Sequence, residues 1–279
     1  MEILEYTFMQ RAIISAVLIG VVCSVVGVYV VLKGLSFIGA GIAHASFGGV
    51  ALGFFLGWNL VATTMVFCLA TAWGIGLVSQ RGRIREDVAI GILFSATMAL
   101  GILLVSLLKG YNIDLVGFLF GSVLAVTPED LWLTVALVAA LLLLVGLFYK
   151  ELLFITFDPE MAQVVGLPAK ALYFLLLGLM AVTVVVSIKV VGIILVEALI
   201  VTPAAAAYQL TNDFRRMMAI SVAIGVGSSL AGLFLSYWIN TPSGGTMVLT
   251  ATFAFFLAAV LSPKRRGLRF RQPAGTTAP

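Results

Sequence analysis

The chain of 279 residues is 62% hydrophobic and 10% charged, with a formal net charge of +4, and its mean hydropathy is +1.19. Ordinary soluble domains carry about 25% charged residues, so that class is excluded. Apolar runs of about 17–25 residues, long enough to cross a hydrocarbon layer about 30 Å thick, follow one another with short polar breaks, and the expected fold is an all-α polytopic membrane protein.

Nine spans are expected, at about 8–32, 36–57, 60–79, 88–108, 130–149, 170–187, 190–209, 217–239 and 245–262. The start, Met1-Glu2-Ile3-Leu4-Glu5, lacks the basic segment of a cleavable signal, and the run after it is too long for a signal core, so the first span is expected to remain. Cys23 and Cys68 each sit inside an apolar run and read as buried free thiols, not a disulfide framework. The second span holds the single histidine, His44, within Gly41-Ile42-Ala43-His44-Ala45-Ser46-Phe47-Gly48-Gly49. A metal-ligating side chain at membrane depth is costly unless it faces a polar path or a partner, which makes His44 a candidate transport residue. The alternative is a neutral imidazole hydrogen-bonded between helices. Gly49, Gly53 and Gly57 on this span, like Ser221, Gly225 and Ser229 on the eighth, have the spacing that lets helices approach closely, within one subunit or between two.

After the fourth span, Gly110-Tyr111-Asn112-Ile113-Asp114 leads into an apolar piece, Leu115 to Val126, closed by Thr127-Pro128-Glu129. Its length suits a short half-span helix at the outer surface better than a crossing. Asp114 is a secondary metal ligand, an attractive charge for arriving cations, or the cap of that short helix. The longest cytoplasmic loop contains Phe157-Asp158-Pro159-Glu160-Met161-Ala162-Gln163-Val164-Val165-Gly166-Leu167-Pro168. Asp158 can cap a helix beginning at Pro159, Glu160 suits the positive end of the helix dipole, and Gly166 followed by Pro168 stops it, giving a short helix at about 158–167. The seventh span carries Glu197 about halfway along and Pro203, which removes a backbone bond and should kink it. One transmembrane domain thus occupies 1–262, followed by a basic tail, 263–279, expected to be partly disordered.

Short cytoplasmic loops carry the excess of lysine and arginine. With the N-terminus outside and the C-terminus inside, thirteen of the 16 basic residues face the cytoplasm, and Arg11, Lys109 and Lys189 remain outside. The positive balance therefore follows from topology and implies no nucleic-acid partner. The sequence has no glycine-rich phosphate loop ending in Lys-Ser/Thr and no loop long enough for an ATPase, so the chain is expected not to be an enzyme.

Glu160, Ala162 and Gly166 match the Glu-Ala-Ala-x-x-x-Gly loop through which ABC importer permeases dock on their ATPase, with Met161 replacing the second residue. Further matches are Gly27-Val28-Tyr29-Val30-Val31-Leu32-Lys33, Leu35-Ser36-Phe37-Ile38-Gly39, the segment from His44 to Gly53, Phe118-Leu119-Phe120-Gly121, Val190-Val191-Gly192, Pro203-Ala204-Ala205 and Thr241-Pro242-Ser243-Gly244. From about residue 8 to 262 the chain resembles the metal-ion ABC permeases for zinc, manganese and iron, most closely the ZnuB-like zinc permeases. The resemblance implies the vitamin B12-type ABC importer architecture in a prokaryotic plasma membrane. It also implies a homodimer, two copies of a cytoplasmic ATPase and an extracytoplasmic metal-delivering solute-binding protein, with ATP driving the ion inward by alternating access. No cofactor is held permanently; the transported ion is expected to be zinc, with manganese or iron as alternatives.

One departure bears on mechanism. Where the family usually has an aspartate four residues before the histidine, this chain has Ala40. Glu197 is the expected replacement, since an imidazole and a carboxylate at matching depth could share a divalent ion and relieve each other's desolvation. A protonated Glu197 bonding a neighbouring helix is the alternative. Two competing functions remain: a secondary transporter, with His44 and Glu197 as a proton or sodium relay, and an ABC permease for a metal chelate. The first predicts inverted halves, for which the sequence offers no convincing repeat.

Overall fold

The computed structural model describes residues 6–108 and 126–264. The expected outer half-span, with Asp114, lies outside the described residues apart from Val126, and so does the tail from residue 265. The described helices are α1 (Thr7–Lys33), α2 (Ser36–Leu56), α3 (Leu60–Gly82), α4 (Glu86–Leu107), α5 (Pro128–Leu147), α6 (Tyr149–Phe157), α7 (Pro159–Val164), α8 (Ala169–Val191), α9 (Ile193–Leu210), α10 (Phe214–Ile239) and α11 (Ser243–Leu261). Eight are long and apolar enough to cross a membrane, and α9 is the shorter apolar helix among them. Together these nine correspond to the nine expected spans.

Their ends follow local chemistry. Asn59 caps α3 by accepting from the Ala62 N–H at 3.1 Å, and Asp213 caps α10 through the Arg216 N–H at 2.8 Å. Thr127 and Asp130 form a reciprocal capping box at α5, with Pro128 in its first turn. Several threonines inside the spans return their hydroxyls to their own helix, as Thr97 does to the Leu93 carbonyl at 2.7 Å and Thr183 to that of Leu179 at 2.8 Å.

Helices α1, α2, α8 and α9 form the centre: α1 packs on α10 and α9, α2 on α3, α4 and α9, and α8 on α3. Tyr29, Ile38, Ile42, Leu177 and Met180 are fully buried there. The small-residue stripes are used within the chain. A Cβ on Gly225 would run into Ser24 Oγ and the Gly20 carbonyl, so α1 and α10 touch backbone to backbone. Ser221 adds a hydrogen bond to the Ser24 carbonyl at 3.2 Å. On α2, a Cβ at Gly49 would sit 2.9 Å from Thr64 Cα of α3. Cys23 and Cys68 are buried free thiols, as expected.

Three details differ from expectation. Helix α8 runs on to Val191 and includes Lys189, which was expected in a loop. The chain then turns at one residue, Gly192, with φ 89° and ψ 162°, a region essentially reserved for glycine. Because α9 consequently starts at Ile193, Glu197 is its fifth residue and not midway along the helix. Finally, α6 forms where a loop was expected after Lys150. The chain stays helical through Pro203 as far as Leu210.

The polar helix ends gather at one end of the bundle. Tyr29 near the end of α1 and Tyr149 at the start of α6 both contact Phe214 at the start of α10, with ring centroids 5.4 and 5.7 Å apart. Lys33, Gln80, Glu86, Pro159, Gln163 and Lys170 line one polar cavity there. This end carries the basic residues expected on the cytoplasmic face.

Candidate metal site and docking helix

His44 lies near the middle of α2, half-buried. Its Nδ1 is 3.0 Å from the Ala40 carbonyl oxygen one turn earlier. A carbonyl only accepts, so Nδ1 carries the proton, and in the neutral ring Nε2 keeps its lone pair. A histidine oriented through one ring nitrogen in this way can offer the other to a metal ion. Phe94 of α4 holds the imidazole from the side, edge-on with centroids 5.0 Å apart. Ala40, the position where a carboxylate is missing, contributes its backbone oxygen to the histidine instead.

Glu197 comes from α9, which packs against α2. The fold therefore sets the two expected residues on adjoining helices, Glu197 in the second turn of α9 and His44 near the middle of α2. Glu197 is half-exposed and lines an open cleft of about 280 Å³ with Ser36, Phe37, Ala198, Val201 and Thr202. A water needs only about 10–15 Å³ of such space, which leaves room for a partly hydrated ion. Ser36 and Thr202 add hydroxyl-bearing side chains to the lining of the same cleft. Among the described residues no group of three or more His, Cys, Asp or Glu side chains could hold a metal. A metal held by His44 and Glu197 would therefore need further ligands from water, hydroxyl or a second chain. That suits an ion in transit better than one bound for good. Asp114 cannot be placed against it, since it lies outside the described residues.

Asp158, Glu160, Ala162 and Gly166 build a second site at the polar end. Asp158 Oδ1 accepts from the Met161 N–H at 2.8 Å, Pro159 opens α7, and Ala162 is fully buried. The Leu167 N–H donates to the Ala162 carbonyl at 2.9 Å, and Gly166 closes the turn at φ 90°. Glu160 faces solvent. Met161, Val164 and Val165 are exposed too, Val164 at 80%. Exposed apolar residues on a short capped helix outside the spans are a contact surface in waiting.

Sequence reasoning missed Gly192, whose backbone conformation fixes where α9 begins. It was visible only as one of several matching motifs. It also missed Ser36 and Thr202, whose hydroxyls carry no signal until α2 and α9 are packed together.

Comparison with known proteins gives the following. Residues 5–262 match the ABC 3 transport family. The chain is 44% identical over 268 residues to the manganese transport system membrane protein MntC of Listeria monocytogenes, covering 96% of this chain and 95% of that one. It is 38% identical to the manganese import system permease protein ScaB of Streptococcus gordonii, covering 95% of each. Among solved structures it resembles PsaBC from Streptococcus pneumoniae in complex with Fab, with a TM-score of 0.86 and 38% identity over 96% of this chain and 97% of that one.

Proposed function

The chain belongs to the ABC 3 transport family as the multi-pass permease subunit of a metal-ion ABC importer, and from that premise we propose that its cargo is manganese, passed between Glu197 and His44. Permeases of this class are not enzymes; they work with a separate ATPase and a substrate-binding protein. The secondary-transporter alternative therefore falls.

Manganese replaces the zinc expected from sequence for two reasons. The relatives quoted above are named for manganese, and the donor set leans the same way. Tetrahedral zinc sites favour several His or Cys ligands, whereas one imidazole with carboxylate, hydroxyl and water oxygens is a set that manganese accepts readily. The observation that carries the reading is the packing of α9, where Glu197 lines an open cleft with room for water, against α2, where His44 donates Nδ1–H to the Ala40 carbonyl and so keeps Nε2 as an acceptor.

In this reading the ion arrives from the binding protein with part of its water, loses some to Glu197 and His44, and leaves on the other side when the helices move. The missing coordination is completed across a homodimer. Helix α7 seats on one of two ATPase copies, with Glu160 and the exposed Met161, Val164 and Val165 as the contact. The N-terminus lies outside and the C-terminus inside, following the basic residues.

The test is ATP-dependent uptake of radiolabelled manganese by the complex reconstituted in proteoliposomes with its binding protein, with zinc or iron(II) as competitor. Uptake of manganese with weak competition by zinc is expected. Uptake of zinc that excess manganese leaves unchanged would reverse the assignment.

A further inference from the structure

At the polar end of the bundle, the side chain of Lys33 does something unusual for a lysine closing a membrane helix. Such side chains ordinarily extend to the water or to lipid headgroups. Here the ammonium turns inward and donates to the Ile155 carbonyl at 3.0 Å. Ile155 lies in the last turn of α6, whose final carbonyls have no partner within their own helix. Lys33 therefore caps α6 from another helix, three residues before Asp158, the cap of α7.

The connections on the other side of Lys33 are short and stiff. Gly34 takes φ 76° and closes α1 through the Val31 carbonyl, the Leu35 N–H returns to Val30 at 2.9 Å, and α2 starts at Ser36. Ser36 and Phe37 line the Glu197 cleft, and His44 lies two turns further along the same helix. A second bond supports the cluster. Tyr173 near the start of α8 donates its hydroxyl to Glu86 Oε1 in the first turn of α4, at 2.7 Å. The Lys33 ammonium lies 5.9 Å from the Tyr173 ring centroid, and Lys33 and Glu86 line the same cavity. That cavity, of about 190 Å³, is also lined by Ile155 and Tyr173 and by Pro159 and Gln163 of α7, and it leaves the group space to shift.

We infer that Lys33 is the positioning residue that couples the docking helix to the metal-carrying helix: a displacement of the α6–α7 junction pulls on Lys33 and through it on the start of α2. This rests on the reading of α7 as the ATPase contact. A charge-assisted bond suits the task, since it is stronger than a neutral one and tolerates small changes of direction on a flexible stem.

The experiment uses the whole complex of permease and ATPase in proteoliposomes with the binding protein. Three quantities are read: assembly by co-purification, ATP hydrolysis, and ions taken up per ATP, with manganese and zinc run in parallel. Lys33→Met is expected to assemble and hydrolyse ATP while uptake per ATP falls about tenfold, a usual size for coupling between sites. Lys33→Arg, which keeps a charged donor, should recover most of it. Tyr173→Phe, which removes only the bond to Glu86, should show a smaller loss in the same ratio. Unchanged uptake per ATP in Lys33→Met overturns the proposal. Loss of assembly in both Lys33→Met and Lys33→Arg also overturns it, because the lysine would then serve folding alone. A cysteine at Val164 separates the premise from the inference: if it fails to cross-link to the ATPase in an otherwise wild-type complex, the docking assignment is wrong whatever Lys33 does.

Discussion

At the scale of single residues, the site depends on which atom of His44 is left over. The Ala40 carbonyl accepts a hydrogen bond from Nδ1–H, so in the proposed site Nε2 is the atom offered to metal and Glu197 its partner from another helix. Two residues acting as one site are non-additive. Glu197→Gln and His44→Ala should each lower uptake by about 10- to 100-fold, as loss of groups that tune a metal site does, and the double variant should be little worse than either. Adding Ala40→Asp to Glu197→Gln should restore part of the uptake, because it returns a carboxylate one helical turn from the imidazole. Uptake of radiolabelled manganese at matched expression checks both. Independent effects that multiply in the double variant would separate the residues.

At the scale of elements, the corner between α8 and α9 is the sharpest constraint. Gly192 at φ 89° and ψ 162° should not accept a side chain without about 1–3 kcal/mol of strain. Gly192→Ala is expected to lower the melting temperature in detergent and to reduce uptake by shifting Glu197, whereas Gly91→Ala on α4, where a Cβ would meet nothing within 4 Å, should do neither. The docking helix gives the opposite case. Gly166→Arg strains only an exposed turn, so the permease should still fold and insert while co-purification with the ATPase falls. Undiminished association would remove this loop from the interface. Helix α7 was legible in sequence because all its signals are local: Asp158 as cap, Pro159 in the first turn, Gly166 as stop. Helix α6 was not, because Lys150 and Glu151 interrupt the apolar run after α5 and read as the start of a loop, whereas the chain breaks only at Phe148 and resumes as a helix over Tyr149–Phe157.

At the scale of the whole molecule, apolar run length carried most of the fold, since a bilayer leaves few ways to satisfy a backbone. What sequence could not supply was depth and pairing across helices. Glu197 was expected midway along its span and lies in its second turn, and Lys33 meets Ile155 through packing that has no local signature. The topology has its own test. Because Cys23 and Cys68 are buried, introduced cysteines can be labelled against a low background. One at Arg83 should react with an impermeant reagent only in opened cells, and one at the exposed Thr241 should react in intact cells or spheroplasts. Labelling of position 83 from outside would invert the orientation.

The central claim is that a carboxylate from α9 and the histidine of α2 together pass the ion. It is tested most directly by the manganese accumulated per ATP hydrolysed in proteoliposomes carrying either the wild-type complex or its Glu197→Gln form. The account predicts that the variant complex assembles and hydrolyses ATP but accumulates manganese at less than about a tenth of the wild-type ratio. Accumulation at the wild-type ratio would contradict it and leave Glu197 as a packing residue.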